Sequence, residues 1–229
     1  MSQPFLAARG VTRSFGPTLA LRGADLSVDR HEIVAVMGPS GSGKSTLLYC
    51  LAGILTPDAG QVLFDGTRVD QLDEPARTEL RRRRFGFVFQ FGQLVPELSA
   101  VENVALPLLL EGRPRRQSMV EAAGWLERLG IGELGARRPG ELSGGEAQRV
   151  ALARAVVAEP DVIFADEPTG SLDSFAGEQV MDLLVDSARA QRTTVLIVTH
   201  EARVAAYADR EVIVRDGVVV DRTPAMAAS

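Results

Sequence analysis

A glycine-rich loop, Gly38–Thr46, directly follows the apolar run Ile33–Met37 and limits the folds that this chain can adopt. The loop matches the phosphate-binding pattern G-x-x-x-x-G-K-[ST] in full. Its Lys44 is the only lysine among 25 basic residues, and all the others are arginine. A compact ammonium on a slim stem fits between two phosphates, where a planar guanidinium does not. We therefore expect a buried strand, a phosphate-binding loop and a helix that begins near Lys44.

Length and composition favour a globular protein, because 229 residues with 45% hydrophobic content can bury a sizeable core. The net charge of -5 argues weakly against a nucleic-acid binder. Cys50 is the only cysteine, and its apolar neighbours predict a buried thiol rather than a disulfide or a metal ligand. The first residues lack the regions of a signal peptide, and the apolar runs are too short to cross a bilayer. We expect a soluble, cytoplasmic chain whose membrane role, if any, comes through a partner.

Strand and helix patterns alternate along the chain. Strands are predicted at Phe5–Val11, Ala20–Val28, Phe85–Phe89, Val162–Ala165 and Thr194–Val198, and helices at Ala100–Leu110, Gln117–Leu129, Glu146–Ala158 and Phe175–Ala190. Gly16-Pro17 and Gly23 are expected to break the first strands. Asp65-Gly66 and Asp216-Gly217 predict hairpins, and a frayed tail is expected from Thr223. The alternation predicts a mostly parallel α/β sheet in a single domain over residues 1–229, with a helical insertion at about 91–158.

Two adjacent carboxylates, Asp166 and Glu167, come directly after the apolar strand Val162–Ala165. Successive strand residues point to opposite faces, so the two side chains can serve separate roles. Asp166 is expected to hold Mg²⁺, usually through water, together with the hydroxyl of Ser45. Glu167 is expected to orient and deprotonate an attacking water molecule.

A second glycine-containing turn, Leu142–Glu146, precedes a predicted helix. Two glycines beside a serine can form a backbone anion site, and Ser143 with Glu146 can also form a simple capping box. Together with the phosphate loop, Gln148-Arg149 and Asp166–Thr169, the turn resembles the signature sequence of ABC-type ATPases. The resemblance covers nearly the whole chain. It implies a phosphate-loop ATPase core with a mostly parallel sheet, an N-terminal antiparallel β-subdomain and an inserted helical subdomain.

The resemblance also implies the roles of individual residues. It implies a homodimer that holds two ATP molecules, each between the phosphate loop of one subunit and the signature of the other. The implied ATP contacts are Gly38, Ser40, Gly41, Ser42, Gly43, Lys44, Ser45 and Thr46 on one side, and Ser143, Gly144, Gly145 and Asp173 on the other. Gln90 resembles the glutamine that senses Mg²⁺ and the attacking water. His200 resembles the histidine that contacts the γ-phosphate and braces Glu167. The implied catalytic set is Lys44, Gln90, Glu167 and His200, and the implied Mg²⁺ set is Ser45, Gln90 and Asp166.

Two positions depart from the family pattern. Phe15 stands where the family usually has a tyrosine that stacks on adenine, and a phenyl ring can still stack. An alternative interpretation is that Phe15 simply covers the core. Ser171 stands where close relatives often have asparagine, and little consequence is expected. The other histidine, His31, has no motif around it and is predicted to lie in a turn.

The spacing of the motifs indicates the class of ATPase. Lys44 and Ser143 are 143 − 44 = 99 positions apart, which resembles a transporter subunit rather than a chromosome-organising or two-cassette relative. Three segments are similar to the lipoprotein-release, macrolide-export and antimicrobial-peptide-resistance ATPases, namely Gly86–Gln90, Leu94–Val104 and Pro168–Asp173. The resemblance implies a subunit on the inner face of the cell membrane that powers a separate permease, with contacts near Gln90–Leu98. The resemblance implies an exporter of a lipophilic, peptide, haem or drug cargo, or a mechanotransmission system that moves no cargo.

Two other functions stay open at this point. One is the ATPase of an importer. The other is a soluble ATPase switch that acts on nucleic acid or the ribosome, for which Arg81–Arg84 is the candidate contact. The competing interpretation of Arg81–Arg84 is a solvated helix end, which the acidic total charge favours.

Overall fold

The computed structural model describes residues 4–221. The strands are β1 (Leu6–Phe15), β2 (Thr18–Val28), β3 (Ile33–Met37), β4 (Ala59–Phe64), β5 (Thr67–Arg68), β6 (Phe85–Phe89), β7 (Val162–Asp166), β8 (Thr194–Val198), β9 (Arg210–Arg215) and β10 (Val218–Asp221). The helices are α1 (Lys44–Leu51), α2 (Glu74–Arg84), α3 (Ala100–Leu110), α4 (Arg115–Arg128), α5 (Gly144–Val156), α6 (Ser174–Gln191) and α7 (Ala202–Ala205). The described residues form two compact units, a first unit that covers residues 4–78 and 194–221 and a second unit of Glu79–Thr193.

The first unit contains an antiparallel sheet in the order β2-β1-β4-β5, which is the expected N-terminal β-subdomain. It also contains four strands in the order β10-β9-β3-β8, in which β3 is parallel to both β8 and β9. Every residue of β8 is buried, as are Ile33–Val36 of β3, which explains their unbroken apolar runs. The α/β class with a mostly parallel sheet is confirmed.

The first hairpin differs from the prediction. The turn lies at Gly16-Pro17 as expected, but β1 extends to Phe15 and β2 continues through Gly23. Val11 pairs with Ala24 and Thr12 pairs with Arg22, so Gly23 is the extra residue of a β-bulge. Its φ of 88° is left-handed and suits glycine, so the predicted strand break at Gly23 was wrong.

The second unit pairs β6 and β7 in parallel, from Phe85 opposite Val162 to Phe89 opposite Asp166. Helices α3, α4 and α5 lie within the interval 91–158 that the sequence assigned to a helical insertion. Their buried side chains include Val104, Leu108, Leu126 and Leu152. The compact unit is wider than that interval, because β6, β7 and α6 belong to it as well. The single-domain organisation stays a prediction.

Cys50 is buried on α1, as predicted. Its burial raises the pKa of the thiol to about 12, an effect that the nearby Arg13 opposes only in part. His31 lies in a turn with a φ of 64°, which confirms its predicted place. The expected frayed tail from Thr223 lies outside the described residues.

Candidate functional site

The phosphate loop joins β3 to α1, as predicted, and its glycines are required by its shape. Gly38, Gly41 and Gly43 all have positive φ angles. A Cβ on Gly38 would overlap the carbonyl oxygen of Val214, and one on Gly43 would overlap that of Ala20. The close approach of neighbouring main chains therefore leaves no room for any other residue at these two positions.

Lys44 lies inside this loop rather than on the surface. Its side chain is 6% exposed, and Nζ donates hydrogen bonds to the carbonyl oxygens of Gly38 and Pro39, each 2.9 Å away. The buried hydroxyl of Ser42 has no hydrogen-bond partner among the described residues. A fixed cation, a spare buried donor and the amino end of α1 suit the oxygens of a bound phosphate.

His200 follows β8, whose carboxyl end lies at the same sheet edge as the phosphate loop. Val36 pairs with Val198, and the Thr199 amide donates to the Val36 carbonyl at 3.1 Å. Two residues after this register pair, the chain that leaves β3 is at Gly38 and the chain that leaves β8 is at His200. The strand register therefore brings the predicted histidine to the edge that carries the loop.

Phe15 ends β1 beside the first turn and is 47% exposed, which argues against a role in covering the core. The Asp58 carboxylate accepts from the Ser14 amide at 2.7 Å and from Arg13 at 2.8 Å, so the strand end is fixed. The amide hydrogen bond, followed by the arginine, lowers the pKa of Asp58. The Arg13 guanidinium lies 5.2 Å from the centroid of the Phe15 ring. One ring face therefore has a cationic neighbour while the side chain stays accessible.

The carboxylates and Gln90 lie at the carboxyl ends of two paired strands of the second unit. Phe89 of β6 pairs with Asp166 of β7, so Gln90 and Glu167 are the residues that follow a matched pair. Asp166 is nearly buried, and Glu167 has a left-handed φ of 49°. A left-handed backbone at a non-glycine residue is a local strain that often marks a functional site.

Gln90 has contacts that were not foreseen from the sequence. The Ser171 hydroxyl donates a hydrogen bond to the Gln90 carbonyl oxygen at 2.7 Å. The sequence led us to expect little consequence from a serine, in place of the usual asparagine, at position 171. A Cβ on Gly170 would lie 2.9 Å from Nε2 of Gln90, so a glycine at this position leaves room for the side-chain amide of Gln90. The Ser171 hydroxyl therefore holds the main chain at Gln90, and the Gln90 side chain lies close to Gly170.

The end of the loop after Gln90 is anchored by Asn103, which the sequence analysis did not single out. Asn103 is fully buried on α3. Its amide donates to the carbonyl oxygens of Val95, Leu98 and Ser99 and accepts from the Val95 amide at 2.7 Å. A polar residue at a buried helical position is the signal that points to such an anchor.

Ser143 caps α5 in the predicted capping box. Its hydroxyl accepts from the Glu146 amide at 3.4 Å, while the Glu146 carboxylate accepts from the Ser143 amide at 2.7 Å. That second bond is the main reason that the pKa of Glu146 is lowered. The capping role does not exclude an anion site, because Gly144 and Gly145 continue the exposed first turn of α5.

Asp173 caps α6 through a 2.9 Å bond from the Ala176 amide. The amino ends of α5 and α6 border one cavity of about 430 Å³, lined by Ser143–Glu146, Ser171–Asp173 and neighbouring residues. The structure thus brings together the four residues that were assigned to one side of the ATP site: Ser143, Gly144, Gly145 and Asp173.

The arginine run Arg81–Arg84 forms the last turn of α2 and leads into β6. Its side chains are largely engaged in the second unit, where Arg82 and Arg83 pair with Glu79 and Arg84 pairs with Asp161. This ion pairing supports the interpretation as a solvated helix end.

Metal and membrane features are limited in the described part of the chain. Residues 4–221 contain no group of three or more histidine, cysteine, aspartate or glutamate side chains that could hold a metal ion. The hydroxyl of Ser45 and the carboxylate of Asp166 are each oxygen ligands of the type that Mg²⁺ prefers. In the same range, no helix is long and apolar enough to span a membrane.

Known proteins are similar to this chain in sequence and in fold. The family model described as ABC transporter matches residues 21–170. The lipoprotein-releasing system ATP-binding protein LolD of Porphyromonas gingivalis is 43% identical over 93% of this chain and 98% of its own length. LolD 2 of Caulobacter vibrioides is 45% identical over 95% and 97%. The solved dimeric structure of the ATP-binding cassette MJ0796 in a post-hydrolysis state, bound to ADP and Pi, has a TM-score of 0.87 and 36% identity, covering 95% of this chain and 99% of that one.

Proposed function

This chain belongs to the ABC transporter family, and we propose that it powers a permease that releases lipoproteins from a membrane. As an ABC transporter ATP-binding domain, it binds and hydrolyses ATP. The observation that carries the cargo proposal is its 43% identity, over almost the full length of both chains, to a lipoprotein-releasing system ATP-binding protein. The proposal keeps the chain within the wider group of export ATPases. The two alternatives, an importer ATPase and a nucleic-acid switch, have no comparable support.

The residue roles belong to the same proposal. Lys44 and the phosphate-loop amides hold the β- and γ-phosphates, and the aromatic ring of Phe15 stacks on the adenine. Bound Mg²⁺ supplies charge neutralisation at the phosphates, and the oxygens of Ser45 and Asp166, with Gln90, hold it. Glu167 takes the proton of the attacking water, and His200 contacts the γ-phosphate.

We further propose that the complete ATP site needs two copies of the chain. Ser143, Gly144, Gly145 and Asp173 would bind the ATP held by the phosphate loop of the second copy. Their common cavity supports this, as does the dimeric state of the similar cassette bound to ADP and Pi. Each charge-assisted hydrogen bond contributes about 1.5–3 kcal/mol, so several bonds to one γ-phosphate can close a dimer that is weak without nucleotide.

The permease contact is assigned to the loop that follows Gln90. Phe91 in this loop is 74% exposed, so its apolar ring is accessible to a partner. The chain would reach the inner face of the membrane through this contact. The described residues contain no membrane-spanning helix of their own.

The proposal is tested by copurification followed by reconstitution. The tagged chain, expressed in its native cell, should carry with it an integral membrane permease. Proteoliposomes that contain the pair and a membrane-anchored lipoprotein should release that lipoprotein only with ATP. Release of a different cargo would correct the cargo class. Salt-sensitive stimulation of the ATPase by DNA or RNA, with no permease copurified, would replace the proposal with the nucleic-acid alternative.

A further inference from the structure

The guanidinium of Arg154, in the last turn of α5, binds two consecutive carbonyl oxygens of the loop after Gln90. Nη2 donates to the Gly92 oxygen at 2.7 Å, and Nη1 donates to the Gln93 oxygen at 2.9 Å. Among the described residues, no carboxylate pairs with Arg154. Burial lowers the pKa of its guanidinium. The two loop carbonyls are therefore the groups that compensate this poorly solvated charge.

The loop at this point has a shape that needs support. Gly92 and Gln93 have left-handed φ angles of 67° and 46°. The Gln93 amide donates a hydrogen bond to the Phe91 carbonyl oxygen at 2.7 Å, which closes a tight turn. The left-handed state is unfavourable for a residue that has a Cβ, as Gln93 does. The fork of an arginine matches two neighbouring carbonyl oxygens, so Arg154 can hold this turn and thereby fix the corner from which Phe91 projects.

The same helix also holds the chain just before Gln90. The Gln148 side chain is 1% exposed, and Nε2 donates to the carbonyl oxygens of Phe89 and Pro168, each at 2.8 Å. Gln148 and Arg154 are six residues apart, which corresponds to about 9 Å along a helix axis. Side chains of helix α5 therefore form hydrogen bonds to the main chain on both sides of Gln90. Ser143 lies at the amino end of the same helix.

We propose that Arg154 is a positioning residue that clamps the loop after Gln90 to α5, so that the loop and the Ser143 end of the helix move as one piece. A partner that displaces Phe91 would then shift Ser143 through a rigid helix, and loss of the clamp would leave Gln90 poorly placed for hydrolysis. The part about hydrolysis rests on the proposed role of Gln90, whereas the clamp itself does not.

The test compares Arg154→Met, Arg154→Lys and the control Arg116→Met, which removes an exposed arginine on α4. Hydrogen exchange should become about tenfold faster, or more, in peptides that cover residues 91–95 of Arg154→Met, since a charge-assisted bond is lost. Its kcat should fall by about tenfold while its KM for ATP stays within about twofold, because the phosphate loop is untouched. Arg154→Lys should recover part of both losses, and Arg116→Met should match the parent.

Unchanged loop exchange in Arg154→Met would overturn the clamp. So would faster exchange that is equal throughout α5, since that result means general destabilisation. Faster loop exchange with an unchanged kcat would remove the link to hydrolysis while keeping the clamp. A parent chain without permease-dependent activity would count against the proposed transport function, and the exchange result would still decide the clamp.

Discussion

The Nζ atom of Lys44 lies 2.9 Å from the carbonyl oxygen of Gly38, in the loop that it is expected to complete around a phosphate. This geometry predicts that Lys44→Arg, which keeps the charge, loses ATP binding. The site is 6% exposed, and a planar guanidinium is too wide for it. Affinity for a fluorescent ATP analogue should drop by about tenfold or more, since a charge-assisted contact is lost. Binding within about twofold of the parent would contradict the assigned role.

We predict that Phe15 binds the adenine of ATP by ring stacking, without the hydroxyl that a tyrosine would add. Phe15→Ala should raise the KM for ATP by about 5- to 150-fold, since base–aromatic stacking contributes about 1–3 kcal/mol, and should leave kcat unchanged. Phe15→Tyr should restore the KM, because it restores the ring. Leu19→Ala on the neighbouring strand is the control, since Leu19 is exposed to a similar extent. An unchanged KM in Phe15→Ala would leave adenine without an assigned aromatic partner.

The sequence was sufficient for the elements whose signal is local. Ile33–Met37, Phe85–Phe89 and Thr194–Val198 were predicted with their observed bounds, because buried parallel strands are continuous apolar runs. The full length of α2 (Glu74–Arg84) was not predicted, because none of its residues is buried and it has no apolar stripe. Gly23 was misread because a β-bulge and a strand end have the same glycine signal.

The residues of the candidate site also fall into two groups, those with a local sequence signal and those without one. Lys44, Asp166 and Ser143 could be proposed as site residues because side-chain chemistry at a fixed spacing is visible in a sequence. Gln148 and Arg154 were missed as loop anchors, since their acceptors are main-chain carbonyl oxygens, which every residue has. Such contacts depend on where the chain returns in space, and residue types alone do not encode that.

Glu167 is predicted to be the general base. Glu167→Gln should still bind ATP and dimerise, but should hydrolyse it about 10²–10⁴-fold more slowly, because an amide accepts no proton. Glu159→Gln is a matched control, since Glu159 is also a glutamate with a left-handed φ, at 51° against 49° for Glu167. The measurement is phosphate release under saturating ATP, with dimerisation followed by size-exclusion chromatography. Near-normal turnover in Glu167→Gln would assign the base to another residue.

Cys50 is predicted to be unreactive in the folded chain and to make stability depend on alkaline pH. Its folded pKa of about 12 exceeds the value of 9.0 for a free thiol, so the unfolded state ionises first. The stabilisation is therefore complete below pH 9 and is lost as the pH rises from 9 towards 12. Denaturant titrations at pH 8 and pH 10.5 should show a smaller pH effect in Cys50→Ala than in the parent. Rapid reaction of the native thiol with a disulfide reagent at pH 8 would contradict its burial.

Ser143 is predicted to have two separable roles, as a helix cap and as a phosphate ligand. Ser143→Ala should lose about 1 kcal/mol of stability, because the Glu146 amide loses its acceptor. Ser143→Asp keeps an acceptor at the cap, so it should melt within about 2 °C of the parent. Its negative charge should nevertheless repel the γ-phosphate and prevent ATP-dependent dimerisation in the Glu167→Gln background. If Ser143→Asp dimerised as the parent does, Ser143 would be a cap alone and the composite ATP site would need another ligand.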